Sequence, residues 1–129
     1  EQKDTSGSET ILVVEDEDSV RTMMTKVLSR KGYQVLEARN AGEALLLCEQ
    51  PSTTIHLLLT DIVLPLMRGD ELAQRLKAIR PDIKQLFISG YNDKKLAESN
   101  IDTETVEFIR KPFDIETFTQ KVRKVLHNS

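Results

Sequence analysis

The sequence is poor in cysteine and histidine, with a single cysteine, Cys48, and two histidines. One cysteine excludes an intrachain disulfide, and these side chains together are too few for a structural zinc site. No stretch approaches the roughly 20 consecutive apolar residues of a membrane-spanning helix. The N-terminus also lacks the basic and then apolar regions of a signal peptide. We therefore expect a cytoplasmic location and no direct contact with a membrane.

An excess of charge of one sign is also absent, because 18 basic and 21 acidic side chains leave a net charge of −3. Without a basic face, the chain is not expected to bind nucleic acid directly. Its 129 residues, of which 39% are hydrophobic, are enough for one compact domain, which we place at residues 10–129. Residues 1–9 contain no large apolar side chain, so they are predicted to form a flexible tail or linker.

Two hydrophobic periods alternate along the chain. Short apolar runs that stop at polar residues predict strands buried on both faces, and stripes at i, i+3, i+4 and i+7 predict amphipathic helices. The predicted strands lie at about residues 11–14, 33–38, 56–60, 85–89 and 105–109. A helix is predicted after each strand, and the fourth helix, about residues 93–100, has the weakest pattern. This alternation predicts an α/β fold with a parallel sheet and helices on both faces.

Polar residues follow the predicted strands, at the carboxyl edge of the sheet where ligands bind in such folds. Strand one is followed by Glu15 and Asp16, strand three by Asp61 and strand five by Lys111, and strand four ends at Ser89. Carboxylates about 4 Å apart repel by roughly 4 kcal/mol per pair at an effective dielectric of about 20. A cluster of three such groups therefore needs a cation or raised pKa values.

Oxygen ligands with no nearby Cys or His favour a hard ion, so the predicted metal is Mg²⁺. A divalent ion beside a carboxylate, a lysine and a hydroxyl is also the arrangement of phosphoryl-transfer sites. Asp61 is the candidate nucleophile. Glu17 and Asp18 are better explained as acids that favour the N-terminus of the next helix. Cys48 falls on the apolar stripe of the second helix and is predicted to lie in the core.

Four segments of the chain resemble the receiver domain of two-component response regulators. They are Ile11-Leu12-Val13-Val14-Glu15-Asp16-Glu17, Thr60-Asp61-Ile62-Val63-Leu64-Pro65, Ile88-Ser89-Gly90 and Arg110-Lys111-Pro112-Phe113. Each motif is weak alone, but their order at successive strand ends is specific. The resemblance covers about residues 10–127. It implies a flavodoxin-like (βα)₅ fold with the strand order 2-1-3-4-5.

The resemblance also implies how the acidic residues act. Asp61 is expected to accept a phosphoryl group. Glu15, Asp16, Asp61 and the backbone carbonyl of Val63 are expected to hold Mg²⁺, with Asp16 as a direct ligand. Glu15 stands where the family often has Asp, and its longer side chain favours a contact through water.

Phosphate contact and switching are implied for three further residues. Lys111 and Ser89 are expected to contact the phosphoryl oxygens, and the bond from Lys111 to Pro112 is cis in the family. Ser89 and Phe108 are expected to form the conformational switch. The chain departs from the family pattern at Arg110, which is unusually polar.

The implied function is that of a phosphoacceptor in a phosphorelay, which takes a phosphoryl group from the phosphohistidine of a histidine kinase or phosphotransfer domain. Such a domain assists its own phosphorylation and dephosphorylation. A dimer or a downstream protein is expected to use the face formed by the fourth predicted helix, the fifth strand and the fifth helix. The chain is most similar to the C-terminal receiver of a hybrid sensor histidine kinase, and such a kinase is the expected parent chain. This expectation rests on the missing initiator Met, on the linker-like start and on several sequence segments that resemble such receivers. The receiver of such a kinase lies in the cytoplasm as part of a membrane-anchored chain.

Three other functions share parts of this pattern. A haloacid-dehalogenase-type enzyme also has an Asp nucleophile and Mg²⁺ after a strand, but it needs a second acid where this chain has Val63. A flavodoxin-like electron carrier has the same sheet, but the acidic residues 15–18 would repel a flavin phosphate. A receiver that acts as a protein-docking module without phosphorylation is the remaining alternative, which a phosphorylation assay distinguishes.

Overall fold

The computed structural model describes residues 6–90 and 107–127, in which strands and helices alternate. In chain order the elements are β1 (Thr10–Val14), α1 (Asp18–Arg30), β2 (Gln34–Ala38), α2 (Ala41–Cys48), β3 (Leu57–Asp61), α3 (Gly69–Ile79), β4 (Lys84–Ser89), β5 (Phe108–Arg110) and α4 (Ile115–His127). Helix α4 is the fifth helix of the sequence-based prediction. The fourth predicted helix, about residues 93–100, lies outside the described residues.

The five strands form one parallel sheet in the order β2-β1-β3-β4-β5, which confirms the predicted fold class and strand order. The register pairs Val14 with Thr60 and Asp61 with Ile88. The carboxyl ends of β1, β3 and β4 therefore lie side by side at one edge. Strand β5 ends at Arg110, one residue beyond the predicted end, and the first two residues of its predicted range lie outside the described part of the chain.

The core consists of two hydrophobic clusters, one on each face of the sheet, because successive strand residues point to opposite faces. Ile11 and Val13 pack with α1 and α4, whereas Leu12 and Val14 pack with α2 and α3. This double coverage explains why β1 is an uninterrupted apolar run. Cys48 is buried in the second cluster, as predicted, and burial raises the pKa of its thiol. None of the described helices is long and apolar enough to cross a membrane.

Helices α2 and α4 begin at side-chain caps, and a glycine follows the end of α1. The Asn40 side chain accepts a hydrogen bond from the Glu43 N–H at 2.9 Å, and Asp114 accepts one from the Thr117 N–H at 2.7 Å. Both contacts are N-caps, which satisfy backbone donors in the first turn. Gly32, with a φ of +101°, follows α1 in the left-handed conformation that favours glycine after a helix.

The segment Ser6–Glu9, which we call the N-terminal strap, packs against the domain. The guanidinium of Arg123 on α4 donates to the Glu9 carboxylate at 2.5 Å and to the Tyr33 hydroxyl at 3.3 Å. The Gly7 N–H donates to the turn after α1 at 3.0 Å. The hydrogen bond from Arg123 lowers the pKa of Glu9 to about 2. The assignment of residues 1–9 as a linker stays a prediction, and these contacts describe its last residues only.

Candidate functional site

The carboxyl edge of the sheet brings together polar residues from four strands. Glu15 directly follows β1, and Asp61 and Ser89 are the last residues of β3 and β4. All three are buried, with exposed fractions of 1%, 7% and 4%. Lys111 follows β5, and its side chain is partly exposed. The strand ends thus converge as the topology requires.

The ammonium group of Lys111 lies between two carboxylates. Its Nζ is 2.9 Å from Asp61 Oδ2 and 3.2 Å from Glu15 Oε1. Burial works against the charge of Lys111, but the hydrogen bond to Asp61 and the charges of Asp61 and Glu15 outweigh it and raise the pKa of the lysine. The Lys111 backbone N–H also donates to the Ser89 carbonyl at 2.7 Å, and the peptide bond from Lys111 to Pro112 is cis, as the resemblance implied.

Glu15 is an acid in an environment that disfavours its charge. The pKa of Glu15 is raised to about 7, and burial is the main cause. The Glu17 N–H and the charge of Lys111 act against this rise, whereas the hydrogen bond with Asp16 and the charge of Asp61 add to it. The Glu17 N–H donates to Glu15 Oε2 at 3.1 Å. Asp16 itself is exposed. Glu15 therefore gains or loses a proton near neutral pH.

The Asp61 carboxylate is held in one orientation by a donor at each oxygen. The Val63 N–H donates to Oδ1 at 3.1 Å, and Lys111 donates to Oδ2 at 2.9 Å. The backbone of Asp61 is also fixed, because the Thr60 hydroxyl donates to its carbonyl at 3.0 Å. A fixed carboxylate at the sheet edge is suited to attack on an incoming electrophile.

Ser89 and Phe108 lie on neighbouring strands beside this cluster. The Ser89 hydroxyl donates to the Gly90 carbonyl at 3.0 Å. Phe108 is half-buried and packs against Phe87, with ring centroids 6.0 Å apart. These contacts do not test the phosphate-contacting role of Ser89 or the switch role of the pair, which stay predictions.

The structure brings only some of the predicted metal ligands close together. In residues 6–90 and 107–127, no group of three or more His, Cys, Asp or Glu side chains is placed to hold a metal ion. Instead, Lys111 contacts the carboxylates of Glu15 and Asp61. The donor chemistry still fits Mg²⁺, because carboxylate oxygens are the ligands this ion prefers. An ion that bound these oxygens would compete with the ammonium group for them.

The loop after β3 depends on Gly69, the first residue of α3. Its N–H donates to the Ile62 carbonyl at 2.8 Å. A Cβ at this position would lie 2.2 Å from the Asp61 carbonyl oxygen and 3.0 Å from the Ile62 Cα, both backbone atoms. Only glycine permits this close approach, which sequence spacing alone does not reveal.

We expect a Gly69→Ala variant to lose about 2–3 kcal/mol of unfolding free energy, because the backbone around Asp61 must shift to admit the methyl group. Gly90→Ala is the matched control, since a Cβ there meets no atom of residues 6–90 and 107–127 within 4 Å. Urea denaturation of both variants gives the comparison, and the control should change by less than about 0.5 kcal/mol. Equal stability of the two variants would contradict the proposed close approach.

This doubly wound parallel sheet, with a lysine and two acids at its carboxyl edge, defines a flavodoxin-like α/β protein with a charged site. The sequence profile of the response regulator receiver domain matches residues 11–123. The chain belongs to this family and is a receiver domain of two-component signalling.

Known relatives include receivers from chains of very different length. The chain is 37% identical over 123 residues to the sensor kinase CckA of Brucella abortus. The aligned residues are 95% of this chain but only 13% of the kinase. It is 36% identical over 117 residues to the response regulator receiver protein CpdR of the same organism, covering 90% of this chain and 95% of CpdR. A crystal structure of the receiver domain from the hybrid histidine kinase CckA has a TM-score of 0.76 and 36% identity, and covers 92% of this chain and 99% of that one. The predicted similarity to hybrid-kinase receivers is confirmed.

Proposed function

We propose that Asp61 accepts a phosphoryl group from the phosphohistidine of a histidine kinase or phosphotransfer domain. The observation that carries this proposal is the Asp61 carboxylate at the sheet edge, oriented by the Val63 N–H and the Lys111 ammonium group. An Asp61 oxygen attacks phosphorus as the phosphorus–nitrogen bond of phosphohistidine breaks, and the electron pair of that bond goes to the imidazole nitrogen. The product is an acyl phosphate, which water later hydrolyses.

Lys111 supplies a fixed positive charge for this transfer. Its Nζ lies 2.9 Å from Asp61 Oδ2, so a phosphoryl group on Asp61 would place its oxygens near the ammonium group. Positive charge that is already in position stabilises the negative charge on the transferring oxygens without reorganisation. The charged state of Lys111 is secured at neutral pH, because the neighbouring carboxylates raise its pKa.

Mg²⁺ is the proposed cofactor, held by Glu15, Asp16, Asp61 and the backbone carbonyl of Val63. When bound, the ion would supply further positive charge against the phosphoryl oxygens. The chain's own contribution is the buried Glu15 carboxylate beside Asp61, which is poorly solvated and gains from a cation.

An Asp16→Asn variant is expected to bind Mg²⁺ more weakly, yet to melt at a higher temperature than the wild type without the ion. The substitution removes a carboxylate ligand and also a negative charge next to Glu15. Melting temperatures at increasing Mg²⁺ concentration give both quantities. Asp82→Asn, an exposed acid before β4, is the control. If Mg²⁺ raised the melting temperature of Asp16→Asn and wild type equally, Asp16 would not be a ligand.

Phosphorylation is proposed to shift an existing equilibrium through Ser89 and Phe108. A dimer or downstream partner would then use the face that includes β5 and α4, and the fourth predicted helix of that face lies outside the described residues. A cytoplasmic location and a hybrid sensor kinase as the parent chain remain part of this proposal.

The test is phosphorylation of the purified chain, followed by intact-mass spectrometry. With acetyl phosphate and Mg²⁺ the chain is expected to gain one phosphoryl group, and with EDTA in place of Mg²⁺ it is expected to gain none. A chain that gains no phosphoryl mass from acetyl phosphate or from any phosphohistidine protein would favour a docking module instead.

A further inference from the structure

Arg21 lies in the first turn of α1, and its charged side chain is nearly buried, with an exposed fraction of 11%. Its Nη1 donates to the Glu15 carbonyl at 2.8 Å. Its Nη2 donates to Asp18 Oδ1 at 2.5 Å, and its Nε lies 3.4 Å from Glu37 Oε1. One side chain therefore joins α1 to strand β2 and to the loop after β1.

The ion pairs of Arg21 do not by themselves explain why the guanidinium group is nearly buried. The side chains of Asp18 and Glu37 are 83% and 45% exposed, and ion pairs with exposed acids contribute little to stability. Taking a charged group out of water has a desolvation cost that such pairs offset poorly. The contact with Glu15 is different, because that residue is buried at the end of β1.

The Glu15 carbonyl belongs to the peptide group between Glu15 and Asp16, the two adjacent acids that are proposed to hold Mg²⁺. The Glu15 N–H donates to the Ala38 carbonyl at 3.1 Å, so pairing with β2 fixes the backbone as far as Glu15. Asp16 is exposed, so packing in the core does not fix its carboxylate. Arg21 holds the peptide group from which Asp16 departs. The direction in which Asp16 presents its carboxylate therefore depends on this hydrogen bond.

The charge of Arg21 is arranged so that it does not compete with a bound ion. Asp18 and Glu37, which are not proposed ligands, offset the positive charge of the guanidinium group. The atom that Arg21 holds near the site is a backbone carbonyl oxygen that is also not a proposed ligand, so this contact can persist when Mg²⁺ binds. Lys111 differs, because its ammonium group contacts the carboxylates themselves.

We propose that Arg21 is a positioning residue for the magnesium site, holding the peptide group between Glu15 and Asp16 so that the Asp16 carboxylate faces the ion. This inference rests on the proposed function, in which Mg²⁺ is the cofactor for transfer to Asp61. Removal of a group that orients a metal ligand typically weakens metal binding about ten- to a hundredfold. Because Arg21 acts on Asp16 through one backbone hydrogen bond, we expect the lower end of this range.

The test measures the Mg²⁺ affinity of three proteins from their amide chemical shifts as MgCl₂ is added, well below the melting temperature. The proteins are wild type, Arg21→Gln and Arg80→Gln. Arg80 is the matched control, because its guanidinium group donates to the backbone carbonyls of Cys48 and Gln50 at 3.1 and 2.8 Å. These carbonyls lie at the end of α2, at the opposite edge of the sheet from the site. Both substitutions remove contacts from a guanidinium group to the backbone, so a general loss of stability should be similar in the two variants.

Arg21→Gln is expected to bind Mg²⁺ about tenfold more weakly than wild type, and Arg80→Gln is expected to stay within about twofold of wild type. Phosphorylation by acetyl phosphate then separates positioning from damage to the reacting groups. At low Mg²⁺ concentration Arg21→Gln should react slowly, whereas saturating Mg²⁺ should restore the wild-type rate, because Asp61 and Lys111 are unchanged. If Arg21→Gln does not fold, Arg21→Lys replaces it. Weaker Mg²⁺ binding is expected there too, since an ammonium group cannot reproduce the planar guanidinium fork.

A Mg²⁺ affinity of Arg21→Gln equal to or above that of wild type would overturn the inference, as would an equal loss in Arg80→Gln or slow phosphorylation at saturating Mg²⁺. A wild type that binds Mg²⁺ but gains no phosphoryl group would contradict the proposed transfer to Asp61, and the binding data would then decide the role of Arg21. A wild type that binds no Mg²⁺ would overturn the proposed cofactor and this inference together.

Discussion

An Asp61→Asn variant is expected to gain no phosphoryl group under conditions that modify the wild type. The amide oxygen is a weak nucleophile compared with the carboxylate, and the variant also loses the charge that binds Lys111 at 2.9 Å. Asp82→Asn is the matched control, because this exposed acid lies before β4, at the opposite end of the sheet from the site. Intact-mass spectrometry with acetyl phosphate and Mg²⁺ measures the difference.

Chemical lability and peptide mapping complete this experiment. The wild-type modification should be removed by hydroxylamine and by base, as an acyl phosphate is, and it should map to the peptide containing Asp61. An equal mass gain in Asp61→Asn would show that another side chain accepts the phosphoryl group. Glu15, whose Oε1 lies 3.2 Å from the same lysine, would be the first acid to examine.

The free energy of unfolding of the metal-free protein is expected to fall as the pH rises from about 4.5 to about 7. The pKa of Glu15 is raised from 4.5 to about 7 in the folded state, chiefly by burial. In this pH window the folded chain binds a proton that the unfolded chain has released, so each rise in pH favours unfolding. The contribution is fully present below 4.5 and lost above 7, and it amounts to about 3 kcal/mol at roughly 1.4 kcal/mol per pKa unit.

Urea denaturation in EDTA at a series of pH values measures this slope, with two variants as references. Glu15→Gln should lose the decline between pH 4.5 and 7. Arg123→Gln should keep it, because that substitution affects Glu9, whose pKa is lowered to about 2 and whose stabilising effect is lost only as the pH falls below 4.5. An unchanged decline in Glu15→Gln would show that another group is responsible.

The convergence of Glu15, Asp61 and Lys111 was predictable because it follows from topology. Apolar runs define the strands, parallel strands place their carboxyl ends at one edge, and the residues at those ends must then be neighbours. No side-chain contact was needed for this conclusion. The strand order was predictable for a different reason, since it was implied by the resemblance of the four motifs to receiver domains.

Contacts that depend on rotamers and on loop geometry were not predictable. Spacing does not reveal that one ammonium group contacts both Glu15 and Asp61, nor that Asp16, adjacent in sequence to Glu15, is exposed. The exposed His56 is a further case, because its Nδ1 accepts the Thr10 N–H at 3.0 Å across the start of the sheet. Such pairings arise between residues far apart in sequence, and no local pattern encodes them.

The N-terminal strap has a mechanical consequence. A pull on the chain at Ser6 does not act on β1 alone, because Arg123 transmits part of the load to α4 and Gly7 transmits part to the turn after α1. The two anchor points belong to elements far apart in sequence, the turn after α1 and helix α4, and they hold the adjacent residues Gly7 and Ser6. A torque applied to the chain before Ser6 would therefore turn the whole receiver domain. Rotation about Thr10 would begin only after the ion pair between Glu9 and Arg123 breaks.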